Sequence, residues 1–271
     1  MKPKGRWIGA VAVTAVAVAG FGAARAADAA DAETLELPEV CQRRPAATSQ
    51  IDTAKLIIEY NSTDGDLGIH GAFDDDGWSE MCVFDPTGRP IAVFDPRTTL
   101  NDLTMAGVFF ESREPPTEEF SFADLAAAFP EGRYRVRAKS FDGAALVGTA
   151  TFTHDVPAPP KITAPALADD PEQPGDPVSR EDLVVDWDPV TETVAGDPVT
   201  ISGYQVIITK EDHDDPHGFS RPVYDVHVPA GLDMLSVPAE FLEPDTVYEV
   251  EVLALEVSGN QTITVGFFLT D

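Results

Sequence analysis

The 271-residue sequence predicts an all-β chain: two tandem antiparallel β-sandwiches following a signal peptide and a polar arm. Three observations predict it. Short strand-like runs are separated by Gly, Pro and Asp turns, a proline-rich break interrupts them at residues 156–161, and the N-terminus has the pattern of an export signal.

Lys2, Lys4 and Arg6 precede an uncharged apolar run from Trp7 to Ala24, and Ala24-Arg25-Ala26 is a small-x-small cleavage pattern. Residues 1–26 therefore read as a secretory signal peptide. The alternative, a membrane helix, is disfavoured because the run is rich in Ala, Gly and Val, is barely long enough to span, and ends in the cleavage pattern. No cysteine stands at that point to carry a lipid anchor. The expectation is a secreted or periplasmic protein with no stable membrane insertion after cleavage.

The whole chain carries 18 Lys+Arg against 47 Asp+Glu, a formal charge of -29. Loss of Lys2, Lys4, Arg6 and Arg25 with the signal leaves 14 basic residues and a charge of -33. Such a surface repels nucleic acid, whose binding rests on neutralising phosphates with Lys and Arg. Protein or carbohydrate partners are expected instead. The two cysteines, Cys41 and Cys82, form an even pair in an exported chain, which favours a disulfide between arm and first domain over two free thiols.

Residues 27–51 lack an apolar period and read as a disordered polar arm. Residues 52–155 break into the runs AKLIIEY, GIHGAF, EMCVFD, IAVFD, AGVFFES, RYRVRAKSF and LVGTATFTH, with turns expected at Asp64-Gly65, Asp76-Gly77 and Asp142-Gly143. A short helix is expected in SFADLAAAFP, capped by Ser121 with Asp124 three residues on and stopped by Pro130. VPAPPK, residues 156–161, reads as a stiff linker, and residues 162–271 as the second domain. The acidic stretch LADDPEQPGDPVSRED is expected to be a solvated, mobile loop after that domain's first strand.

The second domain resembles the fibronectin type III family. The likeness rests on PPKI, LVVDWDPV with Trp187, ISGYQVII with Tyr204, YDVHVPAG, LSVPAEFL and LEPDTVYEVEVLALEVSGNQT. Leu242 and Tyr248 match that family's tyrosine corner, and Trp187 and Tyr248 are implied core residues. No Arg-Gly-Asp occurs, so integrin binding is not carried over. FPEGRYRVRAKSFDG followed by LVGTATFTH resembles the closing hairpin of an immunoglobulin-like sandwich, with Tyr134 at the corner position. The order NSTDGDLG, Trp78, FDPTGR, FFESREPP, FPEGRY, THDVPAPP also resembles an uncharacterised group of exported bacterial proteins.

Candidate chemistry centres on IIEYNSTDGDLGIHGAFDDDGW. Asp64, Asp66, Asp74 and Asp76, with Asn61 as helper, are the nominated calcium ligands, since calcium takes several hard oxygens. The spacing is not that of an EF-hand, and turn chemistry alone explains both Asp-Gly pairs. If the flanking strands form a hairpin, the two pairs lie at opposite ends. EDHDDPHG sets His213 and His217 four apart among Glu211, Asp212, Asp214 and Asp215, but Pro216 and Gly218 argue for a loop. His70, His154 and His227 fall singly in or near strands.

Asn61-Ser62-Thr63 and Asn260-Gln261-Thr262 fit the glycosylation acceptor pattern. Trp78 with Phe109 and Phe110 is either a sugar platform or core. No catalytic motif is present, and Cys82 is expected to seek Cys41 rather than act as a nucleophile. The expected function is non-catalytic recognition or spacing, with no cofactor; a calcium-dependent module and a secreted hydrolase are the alternatives.

Overall fold

In β2 (Thr53–Asn61) Leu56 and Ile58 are buried while Lys55 faces solvent, the period of a strand with one face in a core. Two short elements come before it, α1 (Glu39–Gln42) and β1 (Thr48–Gln50). The computed structural model describes residues 37–42, 48–213 and 222–271. The signal peptide, most of the polar arm, and the segment with Asp214, Asp215, Pro216, His217 and Gly218 lie outside the described residues.

β2 pairs antiparallel with β3 (Asp66–Phe84), Asn61 facing Asp66 and Thr53 facing Asp74. Asp64-Gly65 closes this hairpin as expected, with Gly65 at φ +72° and its N–H on the Asn61 carbonyl at 2.9 Å. The second Asp-Gly pair is not a hairpin turn, which corrects the sequence expectation. β3 continues through Asp76-Gly77 for 19 residues and bends there through bulges between Asp74 and Trp78 and between Trp78 and Glu80. The ladder resumes at Trp78, and a side chain on Gly77 would press on Thr104 Oγ1 at 3.1 Å and Phe141 at 3.3 Å.

This bend makes the first sandwich. The early half of β3 pairs with β2 and, on its other side, with β5 (Met105–Glu111). The late half pairs with β6 (Gly132–Ser140) and, on its other side, with β4 (Pro90–Phe94). A helical turn, α2 (Thr98–Leu103), joins β4 to β5, and α3 (Phe122–Ala128) carries the expected capping box of Ser121 and Asp124. β7 (Ala145–Phe152) pairs with β6 and, in parallel, with β1.

Along that side the two layers are closed: the Ile51 N–H donates to the Val147 carbonyl at 2.8 Å, and Ile51 sits over Gly148, where a Cβ would lie 2.2 Å from it. Along the opposite side β4 and β5 pair only with β3 among the described strands, and the layers stay open. The core between the layers holds Ile51, Phe73, Trp78, Met81, Val83 and Val136, continuing into Leu56, Ile58, Ile69, Tyr134 and Phe152. Trp78 is fully buried, its indole N–H on the Ala106 carbonyl, so it is core rather than a sugar platform. The Tyr134 hydroxyl donates to the Pro130 carbonyl at 3.0 Å.

Residues 37–42 and 48–51, read from sequence as part of a disordered arm, are ordered in this unit. Cys41 of α1 is bonded to Cys82 of β3, with Cα atoms 5.5 Å apart, and Val40 and Phe84 pack around the pair.

The second sandwich has one sheet of β8 (Lys161–Ala164), β9 (Val184–Asp188) and β12 (Met234–Ser236). The other contains β10 (Ile201–Lys210), β11 (Val223–Pro229), β13 (Val247–Glu256) and β14 (Gln261–Leu269) in the order β11-β10-β13-β14. Trp187, Tyr204, Val206, Tyr248, Val250, Val252 and Phe268 fill the space between them. The Tyr248 oxygen accepts the Glu243 N–H at 2.8 Å, the expected corner, and this half of the chain is a fibronectin type III-like sandwich.

The long acidic loop is docked on β14 at its two ends, Ala168 and Val178, while the stretch between them is largely exposed, as its composition predicts. Ala168 exchanges two backbone hydrogen bonds with Phe267, and Val178 bonds Leu269 and Asp271, so the loop covers the edge of β14 that no strand pairs. The first part of that edge is taken by the other sandwich: Gln261, Thr262 and Ile263 pair in parallel with Glu59, Tyr60 and Asn61 of β2. One sheet therefore runs through both sandwiches.

Asn260, 1% exposed, locks the joint. Its Oδ1 accepts the Ile58 N–H at 2.8 Å, and its Nδ2 donates to the Thr153 carbonyl and hydroxyl at 3.0 Å and the Asp155 carbonyl at 3.3 Å. Thr262 donates to the carbonyl of Pro157 in the linker at 2.6 Å.

Candidate functional site

The nominated calcium ligands are not brought together. Asp64 and Asp66 stand at the closed end of the β2–β3 hairpin; Asp74 lies eight residue steps along β3 from Asp66, roughly 27 Å at about 3.4 Å per residue, and Asp76 lies beyond it. A calcium cage would need them in one coordination sphere. Asn61 is engaged as a turn residue: its Oδ1 accepts the Thr63 and Asp64 N–H groups and its Nδ2 donates to Asp64. Asp66 is pushed up to about 6, first by burial and then by the charges of Glu114 and Asp64. Asp74 is also raised, first by burial and then by Asp52, Asp75 and Asp76. Of the loop histidines, His213 is described and His217 is not.

Two other places have the character of sites. The first is the open side of the first sandwich, a cleft of about 620 Å³ between β4 and β5. Leu56, Ile69, Phe94 and Phe110 line it, Ala92 of β4 forms part of a wall, and Ala128 and Phe129 at the end of α3 form part of its rim. The sequence builds it locally. Gly71 of β3 has no side chain, so the Phe110 ring lies where a Cβ would be 2.2 Å from it. Phe94 and Phe110 stand 6.2 Å apart between ring centres, across the gap between the two edge strands. Val93 of β4 and Leu100 and Leu103 of α2 are exposed.

The second is on the outer face of the β2–β3–β5 layer, beside the joint with β14. His70 is 7% exposed and lies between two glutamates. Its Nε2 is 2.9 Å from Glu114 Oε1, and its Nδ1 is 3.6 Å from Glu59 Oε2. Glu59 also accepts a hydrogen bond from the Gln261 amide of the second sandwich.

Gly68 makes room for Glu114, whose Cγ would be 2.7 Å from a Cβ there, and Phe109 packs edge-on against the imidazole. Burial raises the Glu59 pKa, while the charge of His70 and the Gln261 hydrogen bond pull against it. Burial disfavours the imidazolium, but the Glu114 hydrogen bond and the charges of Glu59, Glu114 and Glu111 outweigh it, so His70 is raised. Sequence reasoning placed His70 in a strand by itself and missed both glutamates. The alternation of Glu59 and His70 on facing strands was the available signal for one of them.

No family model and no curated protein matches the sequence. Among solved structures the chain is similar to the FN1–FN3 domains of chicken CNTN1, at 15% identity over 82% of this chain and 64% of that one, with a TM-score of 0.31. It is similar to a two-domain fibronectin type III segment of chicken tenascin, at 12% identity over 81% of this chain and 100% of that one, with a TM-score of 0.29. A tetra-tandem repeat from the extending region of a large adhesion protein matches at 12% identity over 81% of this chain and 50% of that one, with a TM-score of 0.28. Likenesses of this size carry no functional inference, and the description of the fold stands on strand order, register and core. Among the described residues no helix is long and apolar enough to cross a membrane.

Proposed function

We propose that the chain is an exported, non-catalytic recognition module that takes up an extended apolar polypeptide segment at the open side of its first sandwich, with the second sandwich as a rigid spacer. The observation that carries this reading is the 620 Å³ cleft between two edge strands. Its volume falls in the range of about 300–1,000 Å³ typical of ligand sites. Edge strands present unpaired backbone N–H and C=O groups, and a segment added to β4 or β5 satisfies them while every second side chain enters the cleft. Each apolar side chain that leaves water there contributes about 1.5–3 kcal/mol before the cost of ordering the segment. The charge of -33 that remains after loss of the signal favours a segment flanked by Lys or Arg. The export signal in residues 1–26 supports a partner outside the cytoplasm.

The test is selection on the full chain from a display library of ten-residue peptides of alternating apolar and polar pattern. Enriched peptides are expected to lose about tenfold or more in affinity for Ala92→Trp and Ala128→Trp, which fill the cleft, and to retain affinity for Asp74→Asn. Absence of enrichment, or affinity indifferent to both tryptophans, contradicts the reading.

A further inference from the structure

We propose that Glu59, His70 and Glu114 form a binding site for a divalent ion of the zinc class. One donor atom from each side chain falls within 4.8 Å of the others. The donors come from β2, β3 and the segment after β5, so the grouping is a product of the fold and not of local sequence. An imidazole nitrogen beside a carboxylate, with a second carboxylate behind the ring, is an arrangement suited to zinc and its neighbours, whereas calcium prefers oxygen alone.

The distances fit the same assignment. Metal bonds of about 2.1 Å at angles between octahedral and tetrahedral place neighbouring donors about 3.0–3.4 Å apart. His70 Nε2 and Glu114 Oε1 are 2.9 Å apart, so an ion enters between them with little movement. Glu59, 3.6 Å from Nδ1 and so beside the ring nitrogen that faces away from the ion, holds the Nδ1 proton and orients the ring, as carboxylates do behind metal-bound histidines. Its own position is held by Gln261.

Two further features favour an ion. Gly68 leaves the space that Glu114 occupies, and any other residue there would displace it. Glu59 and His70 are almost closed off from solvent, while the Glu114 side chain is 20% exposed and marks the route of entry. Two carboxylates neutralise a divalent charge in this low-dielectric setting, and Glu111 adds attraction at longer range. An ion held here ties β2, β3 and the Glu114 segment together next to the β14 joint.

The full chain without an affinity tag, stripped with EDTA and dialysed, is titrated with zinc chloride by calorimetry and with cobalt chloride by visible absorption. One equivalent of zinc is expected, with a cobalt spectrum of an N/O-ligated ion and a rise in the melting midpoint. Glu114→Gln and His70→Gln are each expected to weaken zinc binding about tenfold or more, while Asp64→Asn and Asp74→Asn leave it unchanged. Glu114 is at the rim, so its variant keeps the fold, which near-ultraviolet circular dichroism verifies. No stoichiometric uptake, or uptake unaffected by Glu114→Gln in a folded protein, overturns the site and leaves a histidine held between two glutamates by a proton.

Discussion

The side-chain oxygen of Asn260 accepts the backbone N–H of Ile58 at 2.8 Å, across 202 residues of sequence. Its amide nitrogen serves Thr153 and Asp155 at the end of the first sandwich, so one buried side chain joins both halves of the molecule. Asn260→Ala leaves these groups without partners, at about 1–3 kcal/mol for each one that stays dry. Urea unfolding is expected to show a lower midpoint and, where wild type gives one transition, two. The same burial keeps the Asn260-Gln261-Thr262 acceptor closed, Asn260 being 1% exposed and Thr262 fully buried. Mass spectrometry of material from a glycosylating host is expected to find Asn260 unmodified.

The two corner tyrosines separate by what their oxygens do. Tyr248 accepts the Glu243 N–H, and Tyr134 donates to the Pro130 carbonyl. Tyr248→Phe and Tyr134→Phe each remove one hydrogen bond without changing volume, so each is expected to cost about 1 kcal/mol in equilibrium unfolding. A loss above about 3 kcal/mol in either would mean that the ring packing had also changed.

The disulfide closes a loop of 41 residues, and chain-entropy arguments give such a loop about 4 kcal/mol. The double variant Cys41→Ser, Cys82→Ser is expected to unfold at lower denaturant by up to this amount, with the second sandwich's core unchanged. Dithiothreitol added to wild type should reproduce the shift and leave the variant unaffected.

Asp66 makes stability rise on mild acidification. Its folded pKa of about 6 lies above the unfolded value of 3.8, so between these pH values the folded chain holds a proton that the unfolded chain has lost. Stability attributable to this group therefore grows as pH falls from about 6 toward 4 and is lost as pH rises through about 6. Asp66→Asn is expected to flatten that part of the stability–pH curve, read from melting midpoints.

Much of this fold was legible from local pattern. The tyrosine corner at Tyr248, the Ser121 cap and the Asp64-Gly65 turn each depend on residues within a few positions of one another. What escaped depends on distant partners. Asp76-Gly77 carries turn chemistry, yet Trp78 finds ladder partners in Met105 and Ser140 and keeps the chain extended. The acidic loop has a solvated composition, but the bare edge of β14 gives its backbone somewhere to bond. Glu59 and Glu114 are ordinary acids in a chain with 47 of them, and only the registers that pair β3 with β2 on one side and with β5 on the other set them around His70. The calcium reading failed to converge for the same reason, since one hairpin holds its two aspartate pairs at opposite ends.

The central claim is that one hydrogen-bonded sheet runs through both sandwiches, and amide hydrogen exchange tests it most directly. The N–H groups of Ile58, Ser62 and Val265 each find their acceptor on the other sandwich, at Asn260, Ile263 and Thr63. They are expected to exchange within about tenfold of the β13–β14 ladder amides under native conditions. Exchange of these three at the rate of an open linker, with both cores still protected, would mean that the sandwiches are joined by the chain alone.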